Sequence, residues 1–242
     1  TVVFWSYETG GIPVLTAGPH LGENPLGMGV SRPETAHTSN SSPLKLSPPV
    51  PALPSLMRLD LAKFIIDKVE DKNPFDSNKM TPLHYAARRD DIAVYKIFMS
   101  NTEDKMPENI WGWTQCHEAA YLGNLKVLEI ITENLVDKNP PTTKGRNIGV
   151  TPLHLAAQEG HVSLCKLILK FAIQKNPQKE DSITPLHTAA YCGHLEVCKI
   201  LIEEAPDKEP VTVGDGKTPA LLAKENNHDK VVRYLTEYCT IY

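Results

Sequence analysis

The chain lacks any apolar run approaching the roughly 18–20 residues that span a bilayer, which excludes membrane insertion by a helix. It also lacks an excess of positive charge. The net charge is -4 and the pI ≈ 6.1, so no global pull toward nucleic acid exists. Cysteine is scarce and odd in number, at 5. No Cys-x-x-Cys occurs, and no Cys/His cluster has zinc spacing. Neither a disulfide framework nor structural zinc therefore organises the fold, and the thiols read as buried and reduced in a cytosolic protein. Gly-x-Ser-x-Gly, a glycine-rich phosphate loop and His-Glu-x-x-His are all missing. Nothing points to catalysis, and no catalytic, cofactor-binding or metal-ligating residue is assigned.

What the chain does have is a repeat. The stretch TPLHLAAQEGHVSLCKLILKFA, residues 151–172, is its cleanest copy. The same opening appears as TPLHYAA at Thr81, TQCHEAA at Thr114, TPLHTAA at Thr184 and TPALLAK at Thr218. Those starts lie 33, 37, 33 and 34 residues apart, a period that means a stacked array. Within the unit, Thr151 can cap a helix, and Pro152 suits the first helical position. Ala156 and Ala157 allow close approach, and Gly160 can take positive φ and stop the helix. A second helix follows with a narrow polar stripe of Ser163, Lys166 and Lys170. So much apolar circumference needs a neighbour on each side, which stacking supplies. The columns agree. Lys166 aligns with Lys63, Lys96, Glu129, Lys199 and Arg233, and Ile168 with Ile65, Phe98, Ile131, Leu201 and Leu235.

These residues resemble the ankyrin repeat, whose signature is T-P-L-H-x-A within a 33-residue period. The resemblance covers residues 58–242, as a half-unit at 58–80 and repeats starting at 81, 114, 151, 184 and 218. It implies an all-α solenoid of helix-turn-helix repeats with short β-hairpin fingers. Some units depart from the pattern: Gln115 replaces the proline, Asp90 and Asp91 replace Gly-His, and Leu221 and Lys224 replace the histidine and an alanine. Divergence in the outer units fits capping, since an end repeat faces water.

Residues 1–57 hold nine of the 20 prolines, many serines and glycines, and no helical period. That composition predicts a disordered tail. Inside it, Lys45 to Pro51 has the basic-x-x-Pro-x-x-Pro form that docks SH3 domains. A tetrad of the Asp-Lys-Asn-Pro type, ending at Pro74, Pro107, Pro140, Pro177 and Pro210, marks the loops between units. The loop before Thr151 is four residues longer than most and carries Lys144, Gly145 and Arg146.

His84, His117, His154 and His187 recur once per unit. Packed helices stand ~10 Å apart, and zinc ligands must all lie ~2 Å from one ion. The histidines therefore read as a structural ladder bonding the nearby Thr hydroxyl or backbone. The basic column is broken by Glu129 and flanked by Asp60, Asp67, Glu196 and Glu203, so it reads as a polar outer stripe.

Positions that the stacking pattern does not require carry the functional reading. Before each capping Thr stand Met80, Trp113, Val150, Ile183 and Lys217. After each small pair stand Arg88, Arg89, Tyr121, Gln158 and Tyr191, and Trp111 lies beside Trp113 in one finger. Large apolar side chains placed there suggest a contact surface. The resemblance implies that partners bind the finger tips and the concave face of the first helices. The resulting expectation is a non-enzymatic, cytoplasmic or nuclear protein-interaction scaffold with an aromatic centre and a basic edge. Arg88, Arg89, Lys144 and Arg146 would form that edge, suiting an acidic and apolar partner segment. Because the chain begins at Thr1, a second reading stays open: the targeting piece of a larger kinase, ubiquitin ligase or cation channel with such repeats.

Overall fold

Thr81, Thr114, Thr151, Thr184 and Thr218 all hold extended backbone, with φ between -93 and -114, and a helix starts at the next residue each time. The computed structural model describes residues 3–7, 13–17, 55–68, 70–134, 137–144, 148–204, 212 and 216–239. The chain divides into two units, residues 1–53 and 54–242.

In the first unit, β1 (Val3–Tyr7) pairs antiparallel with β2 (Pro13–Ala17), with Trp5 opposite Leu15. These ten residues lie in the segment that composition alone marks as structureless. Their runs VFWSY and PVLTA are rich in aromatic and β-branched residues, which favour strands over the flanking proline and glycine. The segment from Lys45 to Pro51 lies outside the described residues.

The second unit begins with α1 (Ser55–Lys68). Helix pairs follow: α2 (Pro82–Arg88) with α3 (Ile92–Asn101), and α4 (Gln115–Leu122) with α5 (Leu125–Asn134). Next come α6 (Pro152–Gln158) with α7 (Val162–Phe171), and α8 (Pro185–Cys192) with α9 (Leu195–Glu204). The last pair is α10 (Pro219–Glu225) with α11 (Asp229–Cys239). The first helices of successive pairs pack on one another as one layer, and the second helices, α1 included, form the other. Phe98, Ile131, Ile168, Leu201 and Leu235 are buried, while Lys63, Lys96, Glu129, Lys166 and Arg233 face out. The two columns read from sequence thus fall on opposite sides of the outer helices. Burying one Leu or Ile side chain contributes about 1.5–3 kcal/mol, so the stacked column is the main source of stability.

Two ladders of hydrogen bonds stitch the layers. The first runs forward. The backbone N–H of Thr81, Thr114, Thr151 and Thr184 donates to Nδ1 of His84, His117, His154 and His187 at 3.1–3.2 Å. Nε2 of each ring lies 2.9–3.2 Å from a carbonyl of the next unit, on Trp113, Val150, Ile183 and Lys217. An N–H can only donate and a carbonyl can only accept. Each ring is therefore the neutral Nε2–H tautomer. The histidines hold repeats together rather than an ion, and no metal-ligating cluster exists among the described residues.

The second ladder runs backward. Nε2 of His161, His194 and His228 lies 2.8–3.1 Å from the carbonyls of Tyr121, Gln158 and Tyr191 in the preceding unit, and the Asn124 amide donates to Ala87 O at 2.6 Å. This ladder explains the Gly of each Gly-His pair. Gly160 has φ +75, and a Cβ there would lie 2.7 Å from His194 Nδ1. Asp90 takes the same backbone at φ 51, but the next unit presents the smaller Asn124 instead of an imidazole. Asn227 does so in the last repeat, with φ 62.

Gln115 stands where other units have proline. Its Nε2 donates to Lys105 O at 2.5 Å and lies 3.5 Å from Met106 Sδ, Met106 being the residue that replaces the tetrad asparagine. These two departures from the pattern therefore meet each other.

The fingers connect as hairpins but hold no strands among the described residues. Each is closed by a backbone bond across its mouth, and in the first three a second lies inside it, from the N–H of Lys79, Gly112 and Gly149 to the carbonyl of Asp76, Asn109 and Thr142. Across the mouth, the N–H of Asp76, Asn109, Thr142, Lys179 and Thr212 donates to the carbonyl of Met80, Trp113, Val150, Ile183 and Lys217. One or two such bonds are too few for a ladder, so the expected β-hairpins reduce to tight turns among the described residues. Two residues before each Thr the chain takes positive φ, at Lys79, Gly112, Gly149, Ser182 and Gly216. In four fingers a side-chain oxygen also accepts the N–H just before the capping Thr. Asp76 serves Met80 at 2.8 Å, Asn109 serves Trp113 at 3.0 Å, Thr142 serves Val150 at 3.0 Å, and Thr212 serves Lys217 at 2.9 Å.

Candidate functional site

Those clamps decide which sequence candidates reach the surface. The residue before each Thr has its N–H bonded within its own finger and, from the second unit on, its carbonyl bonded to the previous unit's histidine. It therefore sits between repeats. Met80, Val150 and Ile183 are consequently 5%, 6% and 2% exposed. Three candidate contact residues are thus corrected to packing residues. Trp113 is clamped in the same way. It stays half-buried and lies over its own first helix, 6.1 Å from the His117 ring in a stacked arrangement and 5.8 Å from the Tyr121 ring.

Trp111, Tyr121, Gln158 and Tyr191 are half-buried, and Arg89 is exposed. The carbonyls of Tyr121, Gln158 and Tyr191 are the acceptors of the backward ladder, so these side chains stand on fixed backbone. Trp113 and Tyr121 come together, and Arg88 joins them through Glu118. Gln158 and Tyr191 lie one and two units further along the same layer.

The basic edge is largely used within the protein. The Arg88 guanidinium bonds the Glu118 carboxylate at 3.3 Å, with side-chain exposures of 18% and 3%. Burial pushes the Glu118 carboxyl up to about 7, against the pull of Arg88. The Lys144 ammonium bonds Glu108 of the preceding finger at 2.7 Å, which together with the Thr143 hydroxyl holds the Glu108 carboxyl below the usual carboxylate range. Arg146 lies outside the described residues. Of the four expected cations, Arg89 alone stands exposed with no side-chain partner among the described residues.

Sequence reading missed the links between fingers. Ile110 N–H donates to Asn78 O at 3.0 Å, Asn109 Nδ2 lies 3.3 Å from Met80 Sδ, and Thr143 and Lys144 both reach Glu108. The first three fingers are thereby tied into one ridge. Phe75, Ile110 and Ile148 stand exposed on it at 67%, 43% and 44%. Their exposure has no signature in the repeat alignment, because finger tips fall between the motif positions.

Among the described residues the free cysteines are Cys116, Cys165, Cys198 and the half-buried Cys192. Cys116, Cys165 and Cys198 are buried, and burial pushes each thiol up to about 12.

A family model described as Ankyrin repeats (3 copies) matches residues 55–142 and 117–212, together more than half of the chain. The chain belongs to the ankyrin-repeat family. The ankyrin repeat is an interaction fold, and this array has the form its family uses to bind proteins. A comparison with curated proteins finds no match. No helix among the described residues of this ankyrin array is long and apolar enough to cross a membrane.

Proposed function

We propose that this array is a non-enzymatic adaptor that binds a protein partner. The contact surface lies on the first-helix layer of its first three repeats and on the adjoining finger ridge. The supporting observation is the Trp113–Tyr121 cluster. Two large, partly exposed aromatic rings stand on backbone that the two ladders hold rigid. Such rings lose little conformational freedom on binding and are the side chains that anchor interfaces. Met80, Val150 and Ile183 are not part of this surface; Trp111, Trp113, Tyr121, Gln158 and Arg89 are. The buried thiols of Cys116, Cys165 and Cys198 fit a cytoplasmic or nuclear site of action.

The test is affinity for a partner isolated with the wild-type chain. The double variant Trp113→Ala/Tyr121→Ala should weaken binding by ~2 kcal/mol or more, about thirtyfold, while circular dichroism shows a folded array. Unchanged affinity would remove this surface from the function.

A further inference from the structure

The charges left over on the first-helix layer have an order. Seven and eight residues after each capping Thr stand Arg88 and Arg89 in the first repeat, and Tyr121 and Leu122 in the second. Gln158 and Glu159 follow in the third, and Tyr191 and Cys192 in the fourth. Arg88 is held by Glu118, but Arg89 is exposed with no side-chain partner among the described residues. Leu122 is 41% exposed. Glu159 is exposed, accepts only the Gln158 amide at 2.9 Å, and forms no ion pair among the described residues.

These positions share one face. The Tyr121 phenol is pushed up first by burial, then by the charges of Glu159 from the following repeat and of Glu118 on its own helix, and is drawn down by Arg88 of the preceding repeat. Glu159 also lies near Cys192 of the fourth repeat. The face therefore runs from a cation, over an apolar and aromatic step, to a carboxylate.

Neighbouring helices in such a layer stand 8–10 Å apart, so Arg89 and Glu159, two repeats apart, are separated by ~20 Å. An extended chain advances ~3.3 Å per residue and covers that span in about six residues.

We propose that this face binds an extended protein segment in one direction. The segment carries an acidic residue against Arg89, a bulky apolar residue about three positions away over Tyr121 and Leu122, and a lysine or arginine about three further on against Glu159. The proposal rests on the protein-binding reading above and narrows its partner class. Charge complementarity carries it. Each end of the face offers one exposed charge without an opposite partner, and juxtaposing like charges there would exclude the reversed segment.

The probe is a displayed library of random twelve-residue peptides, selected on the whole chain and on Arg89→Glu, Glu159→Lys and the double variant. Both positions are exposed, and unchanged thermal melts would confirm that the variants fold. The wild type should enrich peptides with an acid, an apolar residue and a base at roughly three-residue steps. A synthetic peptide of that pattern should bind each single variant about tenfold more weakly by fluorescence anisotropy. The double variant should enrich the reversed charge order.

Enrichment with the same charge pattern on all four proteins would overturn the directional segment. It would leave the protein-binding reading intact, provided Trp113→Ala/Tyr121→Ala abolishes the selection. Failure of the wild type to enrich any peptide would overturn both. A dimer in sedimentation that either single variant breaks would put a second copy of this chain on the face and overturn the segment proposal.

Discussion

At the scale of single residues, the ladder histidines make stability depend on pH in a definite direction. His117 and His154 are buried, and burial lowers their imidazoles to about 4 and about 3. A second proton would have to enter at Nδ1, where the Thr N–H already donates. The unfolded chain carries ordinary histidines near pH 6.5, so between that value and the folded values it binds protons that the folded chain refuses. Stability is therefore fully present above about pH 6.5 and falls as pH drops, by up to about 1.4 kcal/mol per pH unit for each ring. Glu118 works the other way. Its carboxyl is raised to about 7, so the folded state takes up its proton before the unfolded state does, and acid favours folding between about 7 and 4.5. Two rings outweigh one carboxyl. Chemical denaturation at a series of pH values should show a plateau near neutrality and a decline below pH 6. In Glu118→Gln the decline should be steeper.

At the scale of elements, the finger is the unit that the sequence describes least. The Thr-Pro-Leu-His opening, the small pair and the second-helix columns are legible because their spacing repeats. They place the caps, the buried columns and the histidine ladder where the structure has them. A finger is fixed by bonds without a repeating letter. Its clamp is Asp76, Asn109, Thr142 or Thr212, four residues of three types, and its positive-φ position is Gly in three fingers but Lys79 and Ser182 in the others. Hence the burial of Met80, Val150 and Ile183, and the pairing of Lys144 with Glu108, could not be read in advance. The same bonds yield a prediction. Asn109 is 1% exposed, and its Oδ1 accepts from the N–H of both Trp111 and Trp113 at 3.0 Å. Asn109→Ala leaves two donors unmade at a cost of about 2–3 kcal/mol. Asp76 makes the equivalent pair of bonds in the first finger at 2.8 Å. Asn109→Asp should therefore recover most of that loss, whereas a position that merely fills space would not distinguish Asp from Ala. Urea melts of the two variants decide it.

At the scale of the whole array, each repeat packs mainly on its neighbours among the described residues, so the effect of a cavity depends on where in the stack it opens. Leu153 lies in α6 at 0% exposure, with repeats on both sides, and Leu235 lies in α11 at 2%, where α9 and α10 are its neighbouring helices. Truncating either to Ala removes similar chemistry and costs about 2–5 kcal/mol locally. The propagation differs. A weakened third repeat loosens both ladders at once, because His117 reaches Val150 O from behind while His154 and His194 bridge it to the fourth repeat. A weakened last repeat strains the ladder bonds that join it to the fourth, from His187 to Lys217 O and from His228 to Tyr191 O. Native-state hydrogen exchange separates the two cases. Leu235→Ala should lower amide protection in α10 and α11 and leave α4 to α7 as in the wild type. Leu153→Ala should lower protection from α4 through α9. Equal loss throughout for both variants would mean that the array unfolds as one block. The nearest-neighbour account would then fail, and so would the expectation that the binding face over the first three repeats survives damage at the far end.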